Sequence, residues 1–209
     1  MQNKGNELVT IAQRIRAMSQ TALAYSTNEY EIDRSNELIG ISDRIVSIVS
    51  GAKEEDIRAD YHPVREYVTP KVDIRAVIFN DRDEILLVRE KADGRWSLPG
   101  GWSDVGFTPT EVAVKEAREE TGYDVRVVRL LAVLDKRCHN HPASPFYIYK
   151  LCFLCEIAGG DGELTFDILD RGFFALDRLP PLSLDRILPE QIKLLDALRR
   201  NPDAGVYCD

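Results

Sequence analysis

Apolar positions in the first fifty residues recur at helical spacing. Leu8, Ile11, Ile15, Met18 and Ala22 follow one another at three and four residues, and Leu38, Ile41, Ile45 and Ile48 repeat the pattern. Each series draws one apolar stripe along a helix. Ser26-Thr27-Asn28 between them supplies turn and N-cap chemistry, so an antiparallel helical hairpin is expected. A hairpin of this length cannot cover its own stripes, which must pack on the rest of the chain or on a second copy. Gly51 to Pro70 is charged, contains Pro63 and Pro70, and reads as a linker. The domain boundary is placed inside it, giving a hairpin with linker over 1–65 and a second domain over 66–209.

From Lys71 the period changes. Val72, Ile74, Ala76 and Ile78 alternate with Asp73, Arg75, Val77 and Phe79, which predicts a strand. Asn80-Asp81-Arg82-Asp83 is a turn and Glu84 to Arg89 a second strand, so the two should pair as a hairpin. Trp96-Ser97-Leu98-Pro99-Gly100-Gly101-Trp102 is too rich in Gly and Pro for either regular element. A helix is expected over Thr108 to Thr121, strands near Asp124 to Leu134, Tyr147 to Ile157 and Gly172 to Ala175, and a closing helix over Glu190 to Arg200. Strands with few, scattered helices indicate an α+β fold or a sheet sandwiched by helices.

The composition narrows the possibilities. Hydrophobic residues make up 44% of the 209 residues, enough for a core. A net charge of −8 disfavours nucleic acid as a partner. It leaves room for a small phosphate-bearing substrate, because a divalent cation can supply positive charge locally. Met1 to Gly5 lacks the apolar core of a signal peptide and no apolar run reaches membrane-spanning length, so a cytoplasmic protein is expected, with no membrane partner. Cys152 and Cys155 have the spacing of redox and zinc sites. They fall in an extended run, where positions three apart face opposite ways, which favours two small buried apolar residues.

The helix after the Gly-rich segment carries the chemistry. Thr108 can cap it, Pro109 suits the first helical position, Glu111 completes a capping box and Gly122 ends it. Glu116, Glu119 and Glu120 share one face, while Ala113, Val114 and Ala117 form an adjacent apolar one. Glu116 and Glu120 are like charges one turn apart, a cost of roughly 0.2–0.5 kcal/mol. Glu119 and Glu120 sit in the last turn, where the helix dipole prefers cations, at roughly 0.3–1 kcal/mol each. A solvated surface is the ordinary reading of charged helix residues; a hard cation bound by oxygen ligands would give this concentration a reason, and geometry alone leaves both readings open.

Gly101 to Tyr123 resembles the Nudix box, which reads Gly, five residues, Glu, seven residues, Arg-Glu, an aliphatic residue, any residue, Glu-Glu, any residue, Gly, aliphatic. Gly101, Glu116, Glu119, Glu120 and Gly122 match in register. Phe107 replaces the first Glu; just before the Thr108 cap, its ring can pack on the first helical turn as a hydrophobic staple near Val112 or Glu111. Lys115 replaces Arg, keeping the charge but losing the planar fork. Asp73-Ile74-Arg75-Ala76, Trp96 to Trp102, His141 to Phe146 and Gly172-Phe173-Phe174 extend the likeness. With the helical hairpin in front, they resemble the subgroup that hydrolyses nucleoside diphosphates linked to X, which includes ADP-ribose and CDP-choline pyrophosphatases.

The resemblance implies an α/β fold, the Nudix α/β/α sandwich with a mixed sheet, preceded by an N-terminal α-helical hairpin. It implies Mg²⁺, with Mn²⁺ as a substitute, held by the Gly100 carbonyl and by Glu116, Glu119 and Glu120, with water attacking phosphorus in line. Glu116 and Asp167 are the candidate bases, Asp167 because related enzymes place an acid on a loop before the last strand; Asp161, Glu163 and Asp170 share its loop. Arg75 and Arg89 could grip phosphate, although an ion pair with Asp73 competes for Arg75. Trp102 is a candidate for stacking on the nucleobase, whereas Trp96 reads as core. His139 and His141 lack a clear third ligand for zinc. A homodimer through the hairpin is expected. A Nudix domain that senses nucleotide without cutting it, and an RNA-processing enzyme, are the competing readings.

Overall fold

The computed structural model describes residues 4–60, 67–144, 146–160 and 167–209. It divides into two units, one from Met1–Pro70 with Pro142–Tyr147, the other from Lys71–His141 with Ile148–Asp209.

In the first unit, α1 (Lys4–Tyr25) and α2 (Glu29–Ser50) form the expected hairpin. Asn28 caps α2 by accepting from the Tyr30 amide at 3.0 Å, and Gly51 ends it at φ 74°. The apolar stripes are not the face that the two helices share. Leu8, Ile11, Met18, Leu38, Ile41 and Ile48 are exposed, while Val9, Ala12, Arg16 and Ser19 meet Ser35, Ser42, Asp43 and Val46 between the helices. Small side chains let the helices approach closely enough for the Ser42 hydroxyl to donate to the Ala12 carbonyl at 2.8 Å. Arg16 and Arg58 both pair with Asp43, whose side chain is wholly buried. A buried carboxylate needs such partners, so the pairing selects the inner face. The reading of 51–70 as linker needs correction too. It contains α3 (Glu54–Asp60), whose Ile57 is buried against Ala12 and Val46.

The second unit contains β1 (Lys71–Ile78), β2 (Ile85–Glu90), β3 (Trp96–Ser97), α4 (Pro109–Thr121), β4 (Asp124–Asp135), β5 (Ile148–Gly159), β6 (Ile168–Phe174), α5 (Pro189–Arg200) and β7 (Tyr207–Cys208). The strands make a mixed sheet in the order β1-β5-β4-β7 and an antiparallel one in the order β3-β2-β6. One core, with Ile74, Ala76, Ile78, Phe153 and Cys155, packs on Val112, Ala113 and Ala117 of α4. The other, with Val77, Leu134 and Cys152, packs on Ile192 and Leu195 of α5. The sheet is thus covered by a helix on each face, the α/β/α arrangement.

Cys152 and Cys155 are buried in opposite cores, as alternation along β5 requires, and burial pushes both thiols up to about 12. They cannot converge on one ion. β6 begins four residues before the expected start, and β3 and β7 are two-residue strands without a sequence signal.

β1 and β2 do not form the expected hairpin. They share one antiparallel bridge, Phe79 with Ile85, and then separate into different sheets. β1 pairs in parallel with β5, and its other edge is taken by the Gly-rich loop. Ala76 donates to the Pro99 carbonyl, Ile74 to that of Gly101, and Ser103 to that of Val72, at 2.8, 2.8 and 2.9 Å. With both edges satisfied, β1 has no amides left for β2.

Candidate active site

Loop 98–103 and the carboxylate face of α4 form the site. Both ends of α4 are fixed as the sequence predicts. The Thr108 amide donates to Glu111 Oε2 at 2.7 Å, the Glu111 amide donates back to the Thr108 hydroxyl, and Gly122 ends the helix at φ 70°. Val112, Ala113 and Ala117 then face the sheet, which turns the glutamates toward the loop.

Only two of those three glutamates are close against it. Glu120 is 7% exposed, and its Oε2 accepts from the Gly100 amide at 2.8 Å. Burial pushes its carboxyl up to about 8, with Glu90 and Glu116 adding to the rise and Arg75 and the Gly100 amide opposing it. Glu116 lies against Gly101, where an added Cβ would stand 3.1 Å from its carboxylate, and burial raises it as well. Glu119 is half-exposed, 3.8 Å from the Lys115 ammonium. Lys115 also reaches Asp104 at 3.1 Å and Glu116 at 3.7 Å, so one point charge links three acids.

The loop tolerates only glycine at its centre. Gly100 has φ 142°, and a Cβ there would lie 2.0 Å from the Ile74 carbonyl oxygen. The carbonyls of Pro99 and Gly101 are spent on β1, while the Gly100 amide turns to Glu120. Among the described residues no three His, Cys, Asp or Glu side chains already cage an ion. The donor set fits a hard cation in kind: oxygen ligands only, crowded enough that burial and mutual repulsion raise two of the carboxyls, beside a loop in which a side chain would collide.

The remaining sequence candidates separate. Arg75 is 6% exposed; its Nε and Nη2 hold Asp73, and Nη1 donates to the Leu98 carbonyl at 2.8 Å. Its fork is turned to the loop's own backbone, so the structure places it as an ion-paired brace and not as an open phosphate grip. Arg89 is exposed on β2 and donates to the Gly94 carbonyl at 2.9 Å. Trp102 is half-exposed beside the loop, with the Lys71 ammonium 5.3 Å from its ring centre. Trp96 packs edge-on to Phe174 at 4.7 Å, in the core. Asp167 is exposed just before β6, its carbonyl accepting from the Lys91 amide at 2.9 Å, and Asp170 is exposed within β6. Asp161 and Glu163 lie outside the described residues.

His139 donates to Asp209 at 3.0 Å, and His141 donates through Nδ1 to the Leu184 carbonyl at 2.6 Å. Of the two expected neighbours of Phe107, Val112 is buried in a core cluster that Phe107 does not join, while Glu111 lines the same groove as its ring. Phe107 is 48% exposed, with the Lys115 ammonium 5.7 Å from its ring, and lines a shallow groove of about 350 Å³ with Val114 and Val127.

No sequence motif singles out Glu90, which faces Glu120 across the site. It is nearly buried at the end of β2, accepts from the Ser97 hydroxyl at 2.8 Å and pairs with Arg186 at 3.2 Å. A glutamate closing an apolar strand was the available signal.

Comparison with known proteins agrees with this geometry. Residues 69–198 match the NUDIX domain, and residues 6–60 match the UDP-X-like, N-terminal oligomerisation domain. A Bacillus subtilis (strain 168) protein provisionally named as an ADP-ribose pyrophosphatase is 43% identical, over 95% of each chain. The ADP-ribose pyrophosphatase of Methanocaldococcus jannaschii is 31% identical, over 61% of this chain and 75% of its own. The crystal structure of a UDP-X diphosphatase superposes with a TM-score of 0.64 and 34% identity, covering 98% of this chain and 99% of its own. The glutamates of α4, the glycine loop they meet and these similarities together make the chain a member of the Nudix hydrolase family.

Proposed function

We propose that the chain hydrolyses the diphosphate linkage of a nucleoside diphosphate linked to X, of ADP-ribose or CDP-choline type, releasing a nucleoside monophosphate and phosphorylated X. The observation that carries this is the meeting of loop and helix, with Glu120 bound to the Gly100 amide and Glu116 against Gly101. The names of the similar proteins, pyrophosphatases and a diphosphatase, support it. Glu116, Glu119, Glu120 and the Gly100 carbonyl would hold Mg²⁺, or Mn²⁺ in its place. When bound there, the cation would supply positive charge against the diphosphate and make phosphorus more open to attack by water.

The residues supply the rest. Glu120 fixes the loop through the Gly100 amide. Lys115 offsets the charge of Glu116 and Glu119. Glu116, with its carboxyl raised by burial, and the exposed Asp167 are the candidates to take the proton from water. Trp102 offers an exposed face to the base and Arg89 a cation at the rim. We place the domain boundary at residues 65 and 66 and read the protein as a cytoplasmic homodimer. The exposed stripes of α1 and α2 support the dimer, as does the match to an oligomerisation domain.

The test is a phosphate-release assay coupled to a phosphatase, run with ADP-ribose, CDP-choline, UDP-sugars and nucleoside triphosphates. Turnover is expected on at least one substrate of the X-linked class, dependent on divalent cation. Activity confined to nucleoside triphosphates, or absent on every substrate, overturns the assignment.

A further inference from the structure

The glycine loop is anchored at its entry by an acid that lies outside the Nudix box. β3 runs straight into Leu98-Pro99-Gly100 and is held from two sides. On one side the Trp96 amide donates to the Pro181 carbonyl at 3.1 Å, and the Trp96 carbonyl accepts from the Ser183 amide at 2.8 Å. On the other side β3 pairs with β2, Val88 against Ser97. Glu90, two residues further along β2, accepts from the hydroxyl of the wholly buried Ser97 at 2.8 Å.

That hydroxyl has a second acceptor within reach. The Leu98 carbonyl lies 3.2 Å away and already accepts from Arg75 Nη1 at 2.8 Å. A hydroxyl has one proton to give. The bond to Glu90 is shorter and its acceptor is charged, so the proton goes there. The loop carbonyl is left to Arg75, and two residues on the Gly100 amide meets Glu120. Glu90 is itself fixed. Arg186 pairs with it at 3.2 Å and with Asp93 at 3.4 Å, and the Ser183 hydroxyl donates to Asp93 at 2.7 Å. Arg186 therefore keeps an acid even where Glu90 loses its charge. Glu90 is nearly buried, and its charge reaches both Arg75 and Glu120. A carboxylate in that setting is costly unless its bonds are used.

We propose that Glu90 is a positioning residue for the cation site: by holding Ser97 it sets the course of Leu98 to Gly101, and with it the aim of the Gly100 carbonyl. This rests on the proposed cation site of the diphosphate hydrolase. Glu90 acts through an oxygen that accepts a hydrogen bond, not through contact with cation or substrate.

The test begins without metal or substrate. In metal-free protein, hydrogen exchange of the Gly100 amide should quicken about tenfold or more in Glu90→Ala and in Ser97→Ala. Glu90→Gln, which keeps an oxygen for Ser97, should stay within about threefold of wild type. Mn²⁺ affinity, measured by calorimetry without substrate, should follow the same order, weakening about tenfold in the two alanine variants. With a substrate that wild type turns over, kcat should fall about tenfold or more in both, with KM within about threefold. The double variant should lose no more than about threefold beyond the worse single one, because both changes break one contact. Ser97→Ala and Glu90→Gln carry the test where Glu90→Ala does not fold. Wild-type exchange and wild-type Mn²⁺ affinity in Ser97→Ala overturn the proposal. Glu90→Gln with weakened Mn²⁺ affinity, equal to that of Ser97→Ala or worse, overturns it too, since the charge and not the hydrogen bond would then matter. Losses that multiply in the double variant do the same. Exchange and Mn²⁺ affinity that change as expected, in a protein that turns over no substrate, would sink the hydrolase reading alone.

Discussion

The amide of Gly100 donates to Glu120 Oε2 across 2.8 Å, joining a loop that admits no side chain to a carboxylate with almost no exposure. A Cβ on residue 100 would overlap the Ile74 carbonyl oxygen at 2.0 Å in a backbone conformation that L residues avoid. Gly100→Ala should therefore cost on the order of 3 kcal/mol and displace the loop. Denaturation midpoints and turnover should fall together. A variant with native stability and native turnover would show that the loop is not held this way.

Glu119 makes the opposite prediction. It is half-exposed, with the Lys115 ammonium 3.8 Å away, and lies outside both core clusters. Glu119→Gln should change stability by no more than about 0.5 kcal/mol. If it holds the cation, turnover should fall by about a hundredfold or more, since such a ligand contributes several kcal/mol to the transition state. Turnover within about threefold of wild type at saturating Mg²⁺ rules out the ligand role.

Phe107 stands where the Nudix box has an acid. A stapled ring would have cost about 1–2 kcal/mol on replacement by Glu. At 48% exposure, resting near the Lys115 ammonium, it should cost less than about 1 kcal/mol. Phe107→Glu should leave turnover within about threefold. A tenfold gain would mean that the natural residue holds the enzyme back.

Burial lowers His141 from 6.5 to about 4, with Lys150, Lys136 and His139 acting in the same direction and the Leu184 carbonyl opposing. Between those values the unfolded chain takes up a proton that the folded chain refuses. This contribution is complete above about pH 6.5 and is lost as pH falls toward 4, by up to roughly 3 kcal/mol. Denaturation curves at pH 7.5 and 5 should show about 2 kcal/mol of that loss in wild type and a smaller one in His141→Gln. Equal pH dependence in the two proteins would exclude His141 as the source.

The hairpin stripe can be tested without regard to catalysis. Ile11 and Ile41 are 43 and 44% exposed. Ile11→Lys combined with Ile41→Lys should leave helicity intact and shift light scattering from dimer to monomer at micromolar concentration. A wild-type protein that is already monomeric there defeats the dimer.

Local rules made much of this protein legible in its sequence. The ends of α4 follow from Thr108, Glu111 and Gly122, because capping is settled within one turn of chain. The phase of its glutamates follows from 3.6 residues per turn, and the opposite burial of Cys152 and Cys155 from the two-residue period of β5. Decisions between distant segments were not legible. Which face of α1 turns inward depended on Arg16 finding Asp43 across the hairpin. Whether β1 would pair with β2 depended on loop 99–103 occupying its free edge. The arrival of Lys150 at Asp73, and of Asp185 at Lys136, arises only when β1, β4 and β5 lie side by side. A buried charge is settled by whatever the fold brings within hydrogen-bonding reach, and sequence spacing does not encode that distance.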